Sequence, residues 1–177
     1  MQITEHLCLM AQYNEWMNTK IYETASKLSA QELSKDRGAF FGSILGTLNH
    51  IAVADIIWLK RFAPLLQTHQ ELNVIRELSL PRSLDEMLFA NIEALYEHRK
   101  ILDRTFSELA KSITVSELDQ VLSYTNTKGI PSSKNLFSLF MHVFNHQTHH
   151  RGQVTTLLSQ SGVDVGITDL VAIIPNV

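Results

Sequence analysis

The sequence predicts an all-α four-helix bundle. Three observations carry that expectation. Four long segments repeat apolar residues at intervals of three and four. Glycine, proline or capping residues punctuate the loops between them. Strand-like alternation is scarce anywhere in the 177 residues.

The first segment runs from about Thr4 to Leu28, where Leu7, Met10, Met17, Ile21 and Leu28 form one seam with Asn14 inside it. Ser29 followed by Glu32 reads as a capping box for a short extra turn before the Arg37-Gly38 break. The second helix begins near Ser43, after Gly42, and reaches Phe62, with Pro64 just beyond it. Leu48, Ile51, Ile56, Ile57, Trp58 and Leu59 make it apolar around most of its circumference, which places it deep in the molecule. The third is expected from Ser83, where Glu86 completes another capping box, to about Lys111, with Leu88, Leu95, Leu102 and Leu109 at bundle spacing. Val121 to Thr125, the turn-like Asn126-Thr127-Lys128-Gly129 and Ile130 suggest a short hairpin-like excursion. The fourth helix reads from about Ser133 to Ser161 and stops at Gly162. Val163 to Val177 follows as an extended tail expected to pack back on the bundle. Residues 1–177 read as a single domain, a length that suits one core.

Composition narrows the function classes. An apolar fraction of 45% is that of a globular chain, and a net charge of -3 with scattered Lys and Arg leaves no nucleic-acid footprint. Cys8 is the only cysteine, so neither an intramolecular disulfide nor a Cys-rich zinc site can form, and a reducing compartment fits. The opening residues MQITEHLCLMAQYNEW lack the basic start and unbroken apolar run of a signal peptide. The apolar stretch from Ile51 to Leu59 contains Asp55 and is far too short to span a membrane. The expectation is a cytoplasmic protein with neither nucleic acid nor membrane as a partner.

The chemistry concentrates between Phe140 and Gln153, where four of the eight histidines fall. On a helical wheel at 100° per residue, His146 and His150 lie one turn apart within the apolar stripe of Leu136, Leu139, Val143, Val154 and Leu157. His142 lies at the edge of that stripe and His149 points outside it. Two imidazoles one turn apart can share a metal ion, and buried imidazoles need polar partners in either case. Bundles assemble metal sites from inward side chains on facing helices, so a third ligand is expected from another helix. His50 is the candidate, on a narrow polar line with Ser43 and Thr47; the wheel alone leaves it open between a ligand and a solvated face. His6, His69 and His98 have polar neighbours and are expected at the surface.

At these residues the sequence resembles the DinB family over nearly its whole length. The matching blocks are Tyr13-Asn14-Glu15-Trp16, Gly38-Ala39-Phe40-Phe41-Gly42-Ser43, Thr47-Leu48-Asn49-His50-Ile51, Ala54-Asp55 and Trp58-Leu59-Lys60-Arg61. The most specific is Asn145-His146-Gln147-Thr148-His149-His150-Arg151-Gly152-Gln153. The resemblance implies a four-helix bundle connected up-down-down-up and commonly a homodimer. It also implies a metal bound by His50, His146 and His150; His142 and His149 are extra to its pattern.

Three neutral imidazoles leave a divalent ion with an open position, as in catalytic rather than closed sites. Zinc and nickel both suit imidazole. Some relatives are thiol-dependent transferases and others are described as metal-dependent hydrolases, so the resemblance implies an enzyme that activates a low-molecular-weight thiol or a water. The alternative is a non-catalytic metal-binding stress-response protein whose ion stabilises the bundle. Gln153 lies on the same side as His150, where it can orient a ligand. Asn14 has the same potential role or a buried structural one. No inward carboxylate stands out as a general base, and Asp55 points away from His50, which tilts the reading toward a thiol. Arg151 and Gly152 belong to the motif; the glycine is expected to allow close helix packing, and the arginine reads equally well as part of the motif's function or as a surface or capping ion pair.

Overall fold

Three of the four long helices start at a residue whose side chain accepts from a backbone N–H that has no partner in the first turn. The computed structural model describes residues 2–176; Met1 and Val177, the ends of the expected domain and tail, lie outside the described residues. Helix α1 spans Ile3–Ala25, and Ser29 caps the short α2, Ala30–Ser34, by accepting from the Glu32 N–H at 3.2 Å. Ser43 caps α3, Ile44–Phe62, through Gly46 N–H. A 3₁₀ turn, Gln70–Leu72, leads into α4, Asn73–Glu77. Helix α5 covers Ile92–Ser112, and α6, Val115–Leu118, carries a complete Thr114–Glu117 capping box. Strands β1, Val121–Thr125, and β2, Pro131–Asn135, form an antiparallel hairpin that runs directly into α7, Leu136–Gln160.

Helices α1, α3, α5 and α7 form the bundle. Cys8 meets Ala110 and Tyr22 stacks on Tyr96, so α1 and α5 are antiparallel. Phe62 packs on Phe140 while His50 reaches His146, so α3 and α7 are also antiparallel. Asn49 holds Phe89, just ahead of α5, and Asp55 pairs with Arg99, so α3 and α5 run together. The connection is therefore up-down-down-up. Leu7, Ile21, Leu48, Leu95, Leu102, Leu109, Phe140 and Val154 are among the residues that fill the core. Among the described residues, no helix is long and apolar enough to cross a membrane.

Two boundaries differ from the sequence expectation. The third long helix starts at Ile92, nine residues after Ser83. Asn91 supplies the cap through Ala94 N–H at 2.8 Å, while the Glu86 carboxylate turns back to Arg82 instead of completing a box with Ser83. The preceding segment is held open by tertiary bonds. Asn49 Oδ1 accepts from Phe89 N–H at 3.0 Å, and Asn49 Nδ2 donates to the Phe89 carbonyl at 3.1 Å. The last long helix starts at Leu136 because Ser133 is paired with Ser123 in the hairpin, and Asn135 caps the helix through Ser138 N–H.

The tail does return to the bundle. Tyr13 Oη donates to the Thr168 carbonyl at 2.6 Å, and Val163, Val165, Leu170 and Ile173 pack on the core, the last two within a 3₁₀ turn.

The core also contains a polar layer that the sequence reading missed. Asp55, Arg99, Asp103, Asn14, Asn18, Gln147 and Arg151 are all buried, and every bundle helix contributes to them. Arg99 pairs with Asp55 and, at 3.1 Å, with Asp103; Gln147 Nε2 donates to Asp55 at 2.9 Å, and Arg151 donates to Asn14. Two arginines balance two aspartates, which offsets much of the desolvation that makes buried charge unfavourable. Arg151 is thus a core residue, not a surface or capping one. Gly152 has no atom within 4 Å of where a Cβ would stand, so the close packing expected of it is not made in this chain.

Candidate metal centre

The spacing of α7 sends adjacent residues to different tasks. Gln147 and Arg151, one turn apart, point into the polar layer. His146 and His150 precede each by one position and face α3 instead, where His50 stands on the adjoining side. The ligand-capable atoms of His50, His146 and His150 all lie within 4.8 Å of one another, the first two with Nε2 to Nε2 at 3.1 Å. Two nitrogens on one tetrahedral ion at about 2.0–2.1 Å are separated by about 3.3 Å, so this pair already has a ligand spacing. The donor set therefore fits a divalent ion that accepts imidazole.

The surrounding groups fix which ring nitrogens face inward. His50 Nδ1 donates to the Leu84 carbonyl at 2.7 Å, leaving its Nε2 lone pair toward His146. His150 Nδ1 donates to Gln153 Oε1 at 2.9 Å, and Gln153 Nε2 donates onward to His149 Nε2 at 3.3 Å. Such partners set tautomer and ring orientation. Phe41 lies over the group, stacked on His50 with ring centres 3.7 Å apart and edge-on to His150 at 5.6 Å. Gly46 makes that possible, because a Cβ there would stand 2.2 Å from the Phe41 carbonyl oxygen.

All three imidazoles are held neutral. Burial pushes the His146 pKa down to about 3, assisted by the charges His150 and His50 would carry. Burial also lowers His50, against the Leu84 hydrogen bond, and lowers His150, against the Gln153 hydrogen bond. Neutral rings are the form a metal ion requires.

Beside the group opens a cavity of about 230 Å³, lined by His50, Trp58, Arg61, Tyr124, His142 and His146 among others. The hairpin supplies Tyr124 and, from its turn, Asn126 and Thr127. His142 packs edge-on to Trp58 at 5.1 Å, and His149 is exposed.

Several residues are placed differently from the sequence expectation. Asn14 bonds to Asp103 and Arg151 in the polar layer and touches none of the three histidines. Asp55 and Asp103 are inward carboxylates, but their partners are Arg99, Gln147, Asn14 and Asn18. His69 is buried rather than at the surface, because Glu71 and Ser112 meet its Nδ1 and Glu117 its Nε2 at 2.9–3.0 Å. His6 and His98 are half-buried, the latter against Phe89. Leu84 and Phe41 escaped notice because one acts through its carbonyl and the other through a loop whose path no periodicity reports.

Residues 1–175 match the model of the DinB family. The chain is also 26% identical over 163 residues to a Bacillus subtilis (strain 168) protein named Protein DinB, covering 89% of this chain and 87% of that one. No solved structure matches significantly.

Proposed function

Given that the chain belongs to the DinB family, we propose that it is a metal-dependent enzyme that activates a thiol or a water for transfer or hydrolysis. The observation that carries the reading is the convergence of His50, His146 and His150, two of which, His50 and His146, also line the adjoining cavity. These three residues hold the ion, with zinc or nickel the expected occupants. When bound, the ion supplies Lewis acidity toward a thiol or a water.

The chain's own residues do the rest. The Leu84 carbonyl and Gln153 keep protons on His50 Nδ1 and His150 Nδ1, so the opposite nitrogens remain free to ligate. Phe41 screens the group from water on one side, while the cavity leaves the other open to a small molecule. Asp55 and Asp103 are committed to arginines and amides, and among the described residues no carboxylate lines the cavity, which favours a low-molecular-weight thiol over water. The cytoplasm suits a thiol co-substrate, and a homodimer is the expected assembly.

The test is metal analysis of untreated protein followed by turnover assays with low-molecular-weight thiols and electrophiles, with and without chelator. The expected result is about one ion per chain and turnover that disappears on chelation and returns with zinc or nickel. Metal-dependent melting with no turnover would overturn the enzymatic reading.

A further inference from the structure

Among the described residues, Arg61 is the one formally charged side chain lining the cavity beside the histidine group, and no carboxylate lines it. It stands eleven residues after His50, so His50, Ala54, Ile57, Trp58 and Arg61 form one stripe along α3 that is also a cavity wall. The guanidinium packs against two rings that meet edge to face, its carbon 4.6 Å from the Trp58 ring centre and 4.7 Å from that of Tyr124. One Nη donates to the Thr125 carbonyl at 3.2 Å, and no other hydrogen bond or ion pair of Arg61 forms among the described residues. A half-buried guanidinium, fixed in orientation and lacking a counter-charge, is an anion receptor. Asn126 and Thr127, from the hairpin turn above it, add neutral polar groups to the same wall.

We propose that Arg61 is a specificity-determining residue that binds a carboxylate of the small molecule occupying this cavity. The inference rests on the metal-dependent reading above for what happens at the other end of the molecule. The separation bears on the kind of ligand. Eleven residues at 1.5 Å rise put the Arg61 backbone about 16 Å from that of His50, and an arginine side chain leans back toward the helix start. The carboxylate therefore sits several bonds from the group that reaches the histidines, so the ligand is an elongated acid, not a short one such as acetate. Apolar walls from Ala54, Ile57 and Leu84 suit the methylene chain or ring between the two ends.

The experiment compares mercaptohexanoate with mercaptohexanol, equal in length and different in charge. Both are titrated into zinc-loaded and into metal-free protein, each with Trp16→Phe so that fluorescence reports Trp58 in the cavity wall. The expected result is a carboxylate preference of about tenfold or more, the scale of a charge-assisted hydrogen bond. Arg61→Gln should abolish that preference, so that acid and alcohol bind alike, while an unchanged far-ultraviolet circular dichroism spectrum shows that the variant is folded. Equal binding of acid and alcohol, or a preference that survives Arg61→Gln, overturns the assignment. Failure to retain zinc would remove the metal reading, whereas the carboxylate preference in metal-free protein would still decide the role of Arg61.

Discussion

Acid should unfold this protein through its histidine group, and the size of the effect follows from His146. A histidine in an unfolded chain titrates near 6.5, whereas burial holds folded His146 at about 3. Between those values the unfolded chain binds a proton that the folded chain refuses, so stability rises with pH and is lost as pH falls. The contribution is complete above about pH 6.5 and declines by about 1.4 kcal/mol per pH unit below it. At pH 5, some 1.5 units below the unfolded value, His146 alone accounts for roughly 2 kcal/mol of lost stability. His50 and His150, also lowered by burial, add in the same direction. The assay is urea unfolding of metal-free protein at pH 7.5 and pH 5, for the wild type and for His146→Gln. The wild type should lose about 2 kcal/mol more than the variant over that interval. Zinc at a hundred times its Kd should add about 2.7 kcal/mol at neutral pH, and the increment should vanish in acid as protons displace it. Parallel pH profiles for wild type and variant would refute the argument, because His146 would then titrate alike in both states.

His69 should show the opposite sign. Burial opposes its charge, but hydrogen bonds and charges from Glu117 and Glu71 outweigh it and raise its pKa. Its stabilisation is full below about pH 6.5 and lost as pH rises through the folded value, so His69→Gln should cost more at pH 6 than at pH 8.5 in urea titrations. Asp55→Ala removes a partner of fully buried Arg99 and should cost about 3–5 kcal/mol, read as a large fall in Tm. Gly46→Ala drives a Cβ against the Phe41 carbonyl and should displace Phe41 from His50, lowering zinc affinity in a chelator competition while the far-ultraviolet circular dichroism is retained. Gln153→Ala frees His150 Nδ1 and should weaken zinc by about tenfold or more in that competition, a loss that His149→Ala, on an exposed ring, should not reproduce.

The polar layer and the histidine group share α7 without sharing residues. Because Gln147 and Arg151 are tied to α1 and α3 through Asn14 and Asp55, the rotation of α7 about its own axis is fixed. That rotation carries His146 and His150 to His50. The layer therefore positions the group although none of its bonds ends on a histidine of it.

Much of this was legible in the chain itself. The four seams depend on a helical period that any sequence displays locally, and they placed α1, α3, α5 and α7 with their apolar faces inward. The same period put His146 and His150 on one line, since residues four apart face the same way whatever the helix packs against. His50 remained open on the wheel, because a polar residue on an apolar helix reads alike whether water or another helix meets it; the facing α7 puts it beside the pair. The start of α5 was misplaced because Ser83 and Glu86 carry a valid local signal that Asn49 overrides from another helix through Phe89. The sequence points His69 to the surface and leaves Arg151 open between the motif and a surface ion pair, because burying a charge-bearing group requires partners distant in sequence, here Glu117 and Asn14. Local periodicity thus determined which residues line each helix. Only the tertiary structure decided which lines meet, because complementary charges and hydrogen bonds about fifty to a hundred and forty residues apart are satisfied by packing alone.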